Sequence, residues 1–445
     1  MIRLLLLLLG GDFVRRRWSV LLLGGLLWTA IGCWLVVDSI NGTISFPVHF
    51  LGVFLALDGL VTLYTARHHR AGTRHLRYVK GVATFAVAVL VLAAWTYDDA
   101  ILAVLFGVAF AIDAILGIAA VRVVRFAGWR LSLAFSIVEL LVAIHVLIPY
   151  PVHYSATATY CIGLWFIFSG ISLILPAIRG RGLPPDTSLA LVLSRGYRRT
   201  ASTALPIGDS IEPPHPLIVH VWTPMGASDD PRRVPIVDRY IAAVDRKGVI
   251  STGHAALEVP ETLYVSFYPQ KETDHASTHF AHLLRATREN DVPGKFQPSY
   301  AYESAEWCPS TWSLAFPNYD LVRLQEFVTR YRADTTYNLT DRNCSTTTAH
   351  CLEVAVEGIL WRLPRPRRAV LRALLNPELL IASQLRRRAE LMAWTPGLVL
   401  DYARTLRVLL DPPPFGWLTL ARWARHLARR QRSERHERAR QTAPA

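Results

Sequence analysis

Cysteine is scarce and scattered. The chain of 445 residues has five, Cys33, Cys161, Cys308, Cys344 and Cys351, with no close CxxC pair. An odd, dispersed set excludes a disulfide framework and a zinc site, and it suits a reducing compartment. Acidic residues are also in short supply, 34 against 48 Lys and Arg, giving a formal charge of +14. No helix-turn-helix, zinc-knuckle or aromatic RNA-binding pattern accompanies that charge, so nucleic acid is set aside as a partner. Much of the excess is arginine beside apolar runs or near the C-terminus, an arrangement that favours anionic membrane lipid. No cofactor-binding pattern is present either. From Trp18 to Ile178 charges are confined to short gaps, whereas after Arg179 polar, charged and Pro-rich sequence dominates. The length accommodates two or three domains, and the composition describes two solvents.

Six apolar stretches are each long enough for a hydrocarbon core of ~30 Å, which takes ~20 helical residues. They run near Trp18–Ile40, Phe46–Ala66, Tyr78–Tyr97, Ala100–Val121, Arg130–Pro149 and Thr157–Ile178. The opening "MIRLLLLLLGG" is too short to span and has no small-residue cleavage site before Arg15, which predicts an interfacial lead-in within a membrane domain of residues 1–180. Arg15–Arg17, Arg67, Arg70, Arg74, Arg77, Arg122, Arg125, Arg179 and Arg181 fall in alternate loops. Lys- and Arg-rich loops stay on the cytoplasmic side, so both chain ends are expected there.

Three segments repeat: "LGVFLALDGLVTL", "LFGVAFAIDAILGI" and "GLWFIFSGISLIL" bring Asp58, Asp113 and Ser169 into register at intervals of about 55 residues. Over residues 18–180 the sequence resembles the HdeD family of bacterial acid-resistance membrane proteins, built from such hairpins. The resemblance implies a bacterial inner-membrane location and no catalytic activity. Asp58, Asp113 and Glu139 would lie at membrane depth, where an ionisable group serves either a proton relay or a hydrogen-bonded helix contact.

Residues 181–215 mix Pro, Gly, Ser and Arg without sustained periodicity and read as a linker. Over residues 216–360 the runs "LIVHVW", "HAALEV", "LYVSFY" and "TWSLAF" read as strands. Helical periodicity appears at Ser277–Glu289, at Tyr319–Tyr331 and from Ser345 onward, so an α+β domain is expected after the six-helix all-α bundle.

The chemistry candidate pairs "GHAALEV" with "NLTDRNCSTTTAHCLEVAVEG". Cys344 stands where a loop turns into an apolar-periodic helix, and helix-start N–H groups favour a thiolate. His254 begins a strand after Gly253. Alternation places it opposite Ser266 or Tyr268 of the next strand, either of which could fix its imidazole. Here residues 217–360 resemble the circularly permuted, NlpC-type branch of the papain-like superfamily and lecithin retinol acyltransferase-like proteins, in which a "GHA" strand precedes an "NC" helix start. The resemblance implies a nucleophile at Cys344 and a base at His254. It matches Ser266 only loosely, since relatives often carry a stronger polar group there, and this leaves Ser266 and Tyr268 both open. Cleavage or transfer of a peptide, amide or acyl group is the implied activity, with a non-enzymatic binding module as the alternative.

His275, His279 and His282 have helical spacing that zinc could use, but no acidic partner matches them, and an exposed face is the reading. Residues 361–445 alternate arginine with Leu, Trp and Ala. This predicts amphipathic helices, either on an anionic membrane surface or packed on the domain, and then a disordered tail.

Overall fold

The computed structural model describes residues 1–41, 100–126, 128–148, 157–194, 203–223, 243–244, 250–251, 253–271 and 285–411, with short pieces between 52 and 92. The chain opens with α1 (Ile2–Leu9) and α2 (Gly11–Arg16). Four long apolar helices follow: α3 (Trp18–Asn41), α4 (Ala100–Val124), α5 (Trp129–Leu147) and α6 (Thr157–Arg181). Among the described residues these four are long and apolar enough to cross a membrane. At 1.5 Å per residue, α3 spans about 36 Å. Leu23 and Leu131 are 66% and 65% exposed, which suits hydrocarbon and would be costly in water. Asp58 and most of the second and third expected spans lie outside the described residues.

Helices α3 and α6 pack closely because glycines face each other. A Cβ added at Gly32 would lie 2.6 Å from the Gly163 carbonyl oxygen, so a larger side chain would force the helices apart. Gly163 and Gly170 belong to the third copy of the sequence repeat.

After the short α7 (Leu189–Leu193) comes a sheet region. Its strands are β1 (Leu217–Trp222), β2 (Ala243–Val244), β3 (Ile250–Ser251), β4 (His254–Val259), β5 (Leu263–Val265), β6 (Phe267–Pro269) and β7 (Val292–Phe296). Then follow α8 (Tyr300–Glu306), β8 (Trp312–Phe316), α9 (Leu321–Arg332), β9 (Thr336–Tyr337) and α10 (Cys344–Val356). The region closes with α11 (Ile359–Arg362), α12 (Pro366–Leu374), α13 (Pro377–Leu391) and α14 (Pro396–Leu410). A sheet of order β5-β4-β1-β8 is antiparallel throughout, and β6-β7-β9 forms a second one. Alternation sorts the first sheet as the sequence pattern requires: Val219, Val221, Ala255, Leu257 and Val259 enter the core with Leu324, Phe327 and α10. His220 pairs with Ala256 and Trp222 with His254 on the opposite face.

Two expectations change here, and an alternative left open for the C-terminal helices is narrowed. The opening leucine helix is no interfacial lead-in, because Leu4, Leu6, Leu7 and Leu8 are buried in the same core as the sheet. A leucine run with no polar face buries all round, and each such side chain contributes about 1.5–3 kcal/mol. Gly358 N–H donates to the Leu7 carbonyl at 3.1 Å. Gly10, at φ +87°, comes so close that a Cβ there would sit 2.9 Å from Gly358 Cα.

The expected linker is also partly packed. Buried Glu357 accepts from Ser188 Oγ at 2.5 Å and from the N–H groups of Leu189 at 2.8 Å, Ala190 at 3.2 Å and Gly11 at 3.3 Å, tying three separate stretches together. Helices α13 and α14 belong to the core and not to a membrane surface. Arg386 is bidentate to Glu353 at 2.7 and 2.9 Å, and Tyr402 Oη donates to the same carboxylate at 2.9 Å. Helix α12 keeps an apolar exposed side, at Leu371, Leu374 and the adjoining Leu375.

The sheet-containing region also touches the long apolar helices. Arg387 of α13 lies 2.9 Å from Asp113 of α4 and 3.6 Å from Glu139 of α5, so two of the three carboxylates named from the sequence meet one guanidinium. If the opening helix is core, Leu7→Asn lowers thermal stability by about 3 kcal/mol, whereas exposed Leu375→Asn stays within about 0.5 kcal/mol. Thermal unfolding of the purified full-length variants checks this contrast.

Candidate active site

Cys344 begins α10 because Asn343 caps that helix. Asn343 Oδ1 accepts from Thr346 N–H at 2.7 Å, while its Nδ2 donates to the carbonyls of Leu339 at 2.7 Å and Trp394 at 3.1 Å. All three bonds need an amide, so a Ser or Asp cap would not hold this loop in the same way. The Asn343 carbonyl accepts the Thr347 N–H at 2.9 Å. The N–H groups of Cys344 and Ser345, the first two of the helix, are left without an intrahelical acceptor. Cys344 itself is only partly buried.

His254 enters from β4 and is 2% exposed. Its Nε2 is 2.8 Å from Ser266 Oγ and 3.4 Å from Glu303 Oε1. The ring lies flat on Tyr268, with centroids 4.0 Å apart and planes 14° apart. With Nε2 engaged, Nδ1 is the nitrogen left for the thiol. Burial by itself raises the Cys344 pKa. The His254 charge, a hydrogen bond from His254, the Ala255 backbone and Ser345 Oγ outweigh it, and the thiol ends below its ordinary value. A thiol lowered in this way carries more thiolate, the attacking form.

All four residues named from the sequence, Cys344, His254, Ser266 and Tyr268, therefore come together. Both candidate orienting residues touch the imidazole, Ser266 through its hydroxyl and Tyr268 through its ring. The register explains this: Leu257 pairs with Val265 and Glu258 with Tyr264, and continuing it brings Tyr268 opposite His254. The strand breaks at Ser266, between β5 and β6.

Glu303 is the residue that sequence reasoning missed. It is 3% exposed and accepts 2.6 Å hydrogen bonds from the hydroxyls of both Tyr264 and Tyr268. Burial and then Glu303 hold both phenols well above their ordinary pKa. The tyrosines thus fix the carboxylate beside His254 Nε2. No periodicity marks it, since α8 is only seven residues long; its one local signal is the capping serine, Ser299, which accepts from Tyr302 N–H at 3.1 Å.

A second histidine lies along the same sheet face. His220 Nδ1 is 3.0 Å from Ser310 Oγ and Nε2 is 2.9 Å from Glu258 Oε2. The order is that of a serine triad, but Ser310 is occupied on both sides: its Oγ lies 3.1 Å from Tyr300 Oη, and its N–H donates to that same oxygen at 3.1 Å. With Tyr300 stacked on His220 at 4.0 Å, the network braces the wall formed by Trp222, whose ring centroid lies 5.4 Å from that of His254. Cys351 is fully buried on the core side of α10 and its thiol is pushed up to about 12 by burial. No group of His, Cys, Asp and Glu among the described residues is arranged to hold a metal ion. His275, His279 and His282 lie outside the described residues.

Residues 145–194 match a family described as a short repeat of unknown function, DUF308, which includes HdeD-like membrane proteins. The match covers α6, and with the apolar helices it fits a membrane domain and a multi-pass membrane protein. Comparison with curated proteins and with solved structures finds no match.

Iodoacetamide consumes thiolate, so its pH profile reports each thiol separately. Cys344 is expected to reach half-maximal rate at lower pH than Cys308, and His254→Ala should return Cys344 to about 8.5 or above. Mass spectrometry of the alkylated peptides is the measurement.

Proposed function

We propose that the chain is a membrane-anchored thiol enzyme that cleaves or transfers an acyl or amide group, with Cys344 as nucleophile and His254 as base. The observation that carries the reading is the placement of Cys344 at the capped start of α10, beside an imidazole whose Nε2 is already held by Ser266. The order, with a histidine strand before a cysteine helix, is that of the permuted papain-like branch.

In the reaction, His254 takes the Cys344 proton and the thiolate attacks the carbonyl carbon. A C–S bond forms, and the oxyanion finds the free N–H groups of Cys344 and Ser345. As the tetrahedral intermediate collapses, the carbon–nitrogen or carbon–oxygen bond breaks, and the imidazolium returns its proton to the leaving group. Water then releases the acyl group in a peptidase or amidase, the favoured form. Glu303 and Ser266 keep the imidazole oriented and stabilise its charged state through Nε2.

Attachment to a membrane favours a second form of the same chemistry, an acyltransferase with a lipid-derived donor. The arginine-rich loops support a cytoplasmic domain on a bacterial inner membrane, and the DUF308 match supports an HdeD-like bundle. The six-helix count rests on the sequence repeat. That topology argues against a cell-wall substrate, which lies across the membrane.

A thiol-reactive acyl probe on purified protein separates enzyme from binding module. Selective labelling of Cys344 that disappears in His254→Ala supports the enzyme, and labelling no faster than Cys308 contradicts it. Glu303→Gln should slow acylation about 10²-fold while Cys344 stays accessible to a neutral disulfide reagent. A reporter fused after Arg181 that is active only in the periplasm would reverse the orientation.

A further inference from the structure

Helix α12 presents leucine on its outer side. Leu371, Leu374 and the adjoining Leu375 are 58%, 44% and 69% exposed, and spacings of three and four residues set them on one side of the helix. The other side belongs to the core, where Ala373 is buried and Ala369 and Val370 pack. Three adjacent leucines left outside a core favour any apolar phase that is offered. Arg367, Arg368 and Arg372 share the exposed side. Residues 363–376, "LPRPRRAVLRALLN", hold four arginines and no acidic residue. Among the described residues none of these four is in an ion pair, whereas Arg362, just before them, is held by Asp320 at 2.6 Å.

Two neighbours fix where this face stands, because α12 packs on α11 and α13. Trp361 of α11, 37% exposed, meets Phe13 of α2 edge-on with ring centroids 4.6 Å apart. Helix α2 ends at Arg16 and the apolar helix α3 starts at Trp18, where Arg181 from the end of α6 lies over the Trp18 ring at 5.3 Å. Tryptophan and arginine together mark the level where hydrocarbon gives way to headgroups. On the other flank α13 reaches α4 and α5 through Arg387. Helix α12 is thus bracketed by two helices that both lead to the long apolar ones.

The mixture of side chains selects the occupant. A second copy of the chain on this face would crowd the four arginines of each copy together with no acidic residue between them. A nucleic acid would suit the arginines and leave three leucines in water. A bilayer surface takes both, since leucine enters the acyl boundary while the long arginine stem lets its guanidinium stay with the phosphates. We propose that α12 is an interfacial helix lying in the leaflet next to the start of α3, its leucines among acyl chains and its arginines on the phosphates of anionic phospholipid. This placement stands whether or not Cys344 is a nucleophile.

The test uses the full-length protein in nanodiscs of phosphatidylcholine, with or without phosphatidylglycerol. Photoreactive benzoylphenylalanine replaces Leu371 or Leu375, and Tyr302, 48% exposed on α8, as the control for chance encounters. Mass spectrometry of the illuminated peptides identifies what each position touches, and thermal unfolding checks that the fold is kept. In discs with phosphatidylglycerol, lipid adducts at both leucine positions should exceed those at Tyr302 at least about fivefold. Arg367→Gln combined with Arg368→Gln should lower that yield at least about threefold in the same discs and leave it unchanged in phosphatidylcholine alone. Adducts no more frequent than at Tyr302, or crosslinks to a second copy or to another segment of the chain in place of lipid, would overturn the interfacial placement. Lipid adducts indifferent both to phosphatidylglycerol and to the arginine substitutions would overturn the phosphate contacts.

Discussion

A single helix, α10, is buried along almost its entire length, and the sheet-containing region is organised by what its two ends and its polar face require. At the N-terminus the loop is closed by Asn343, which leaves two N–H groups without an intrahelical acceptor and the thiol beside His254. At the C-terminus, Glu357 and Gly358 are met by α1, α2 and α7, elements far away in sequence. In the middle, Glu353 is neutralised by Arg386 and Tyr402. A buried carboxylate without such partners would be strongly destabilising, so each partner has to come from another part of the chain. The proposed reactivity and the architecture therefore share one cause: the helix that must be closed at both ends is the one that carries Cys344.

That arrangement also determines how the two solvents are joined. Helix α1 lies inside the core of the sheet-containing region, α3 leads out of it, and α6 leads back into a segment that docks on Glu357. Both α3 and α6 are thus tied to the sheet-containing region at the same end, and Arg181 of α6 lies over the Trp18 ring of α3. Glycine contacts hold α3 and α6 together, while Arg387 reaches the carboxylates of α4 and α5. The membrane part is consequently more than a tether, because four of its helices have direct contacts that a movement of the soluble region would disturb.

What could be read in the sequence follows the range of each interaction. The strands around His254, the face they share with Ser266 and Tyr268, and the helix start at Cys344 were legible because alternation and capping are local. The long apolar helices were legible for the same reason. Glu303 was not, since its role depends on two tyrosines, one from β5 and one from β6, meeting a short helix. The leucine-rich opening was misread because apolar residues beside arginines have the same composition at a membrane surface and in a core; only the glycine contact at Gly358 distinguishes them. The same ambiguity applied to α13 and α14, whose arginines include Arg386, buried against a glutamate, and Arg387, turned toward the membrane carboxylates.

The central claim is that an imidazole holds the Cys344 sulfur as a thiolate. The most direct measurement is the ultraviolet absorbance of thiolate in the folded protein, taken as the difference between wild type and Cys344→Ser across pH. The expected result is a difference signal that persists below pH of about 8.5, the ordinary thiol range, and vanishes in that range when His254 is replaced by Ala. A signal that rises only through the ordinary thiol range, and is indifferent to His254, would contradict it.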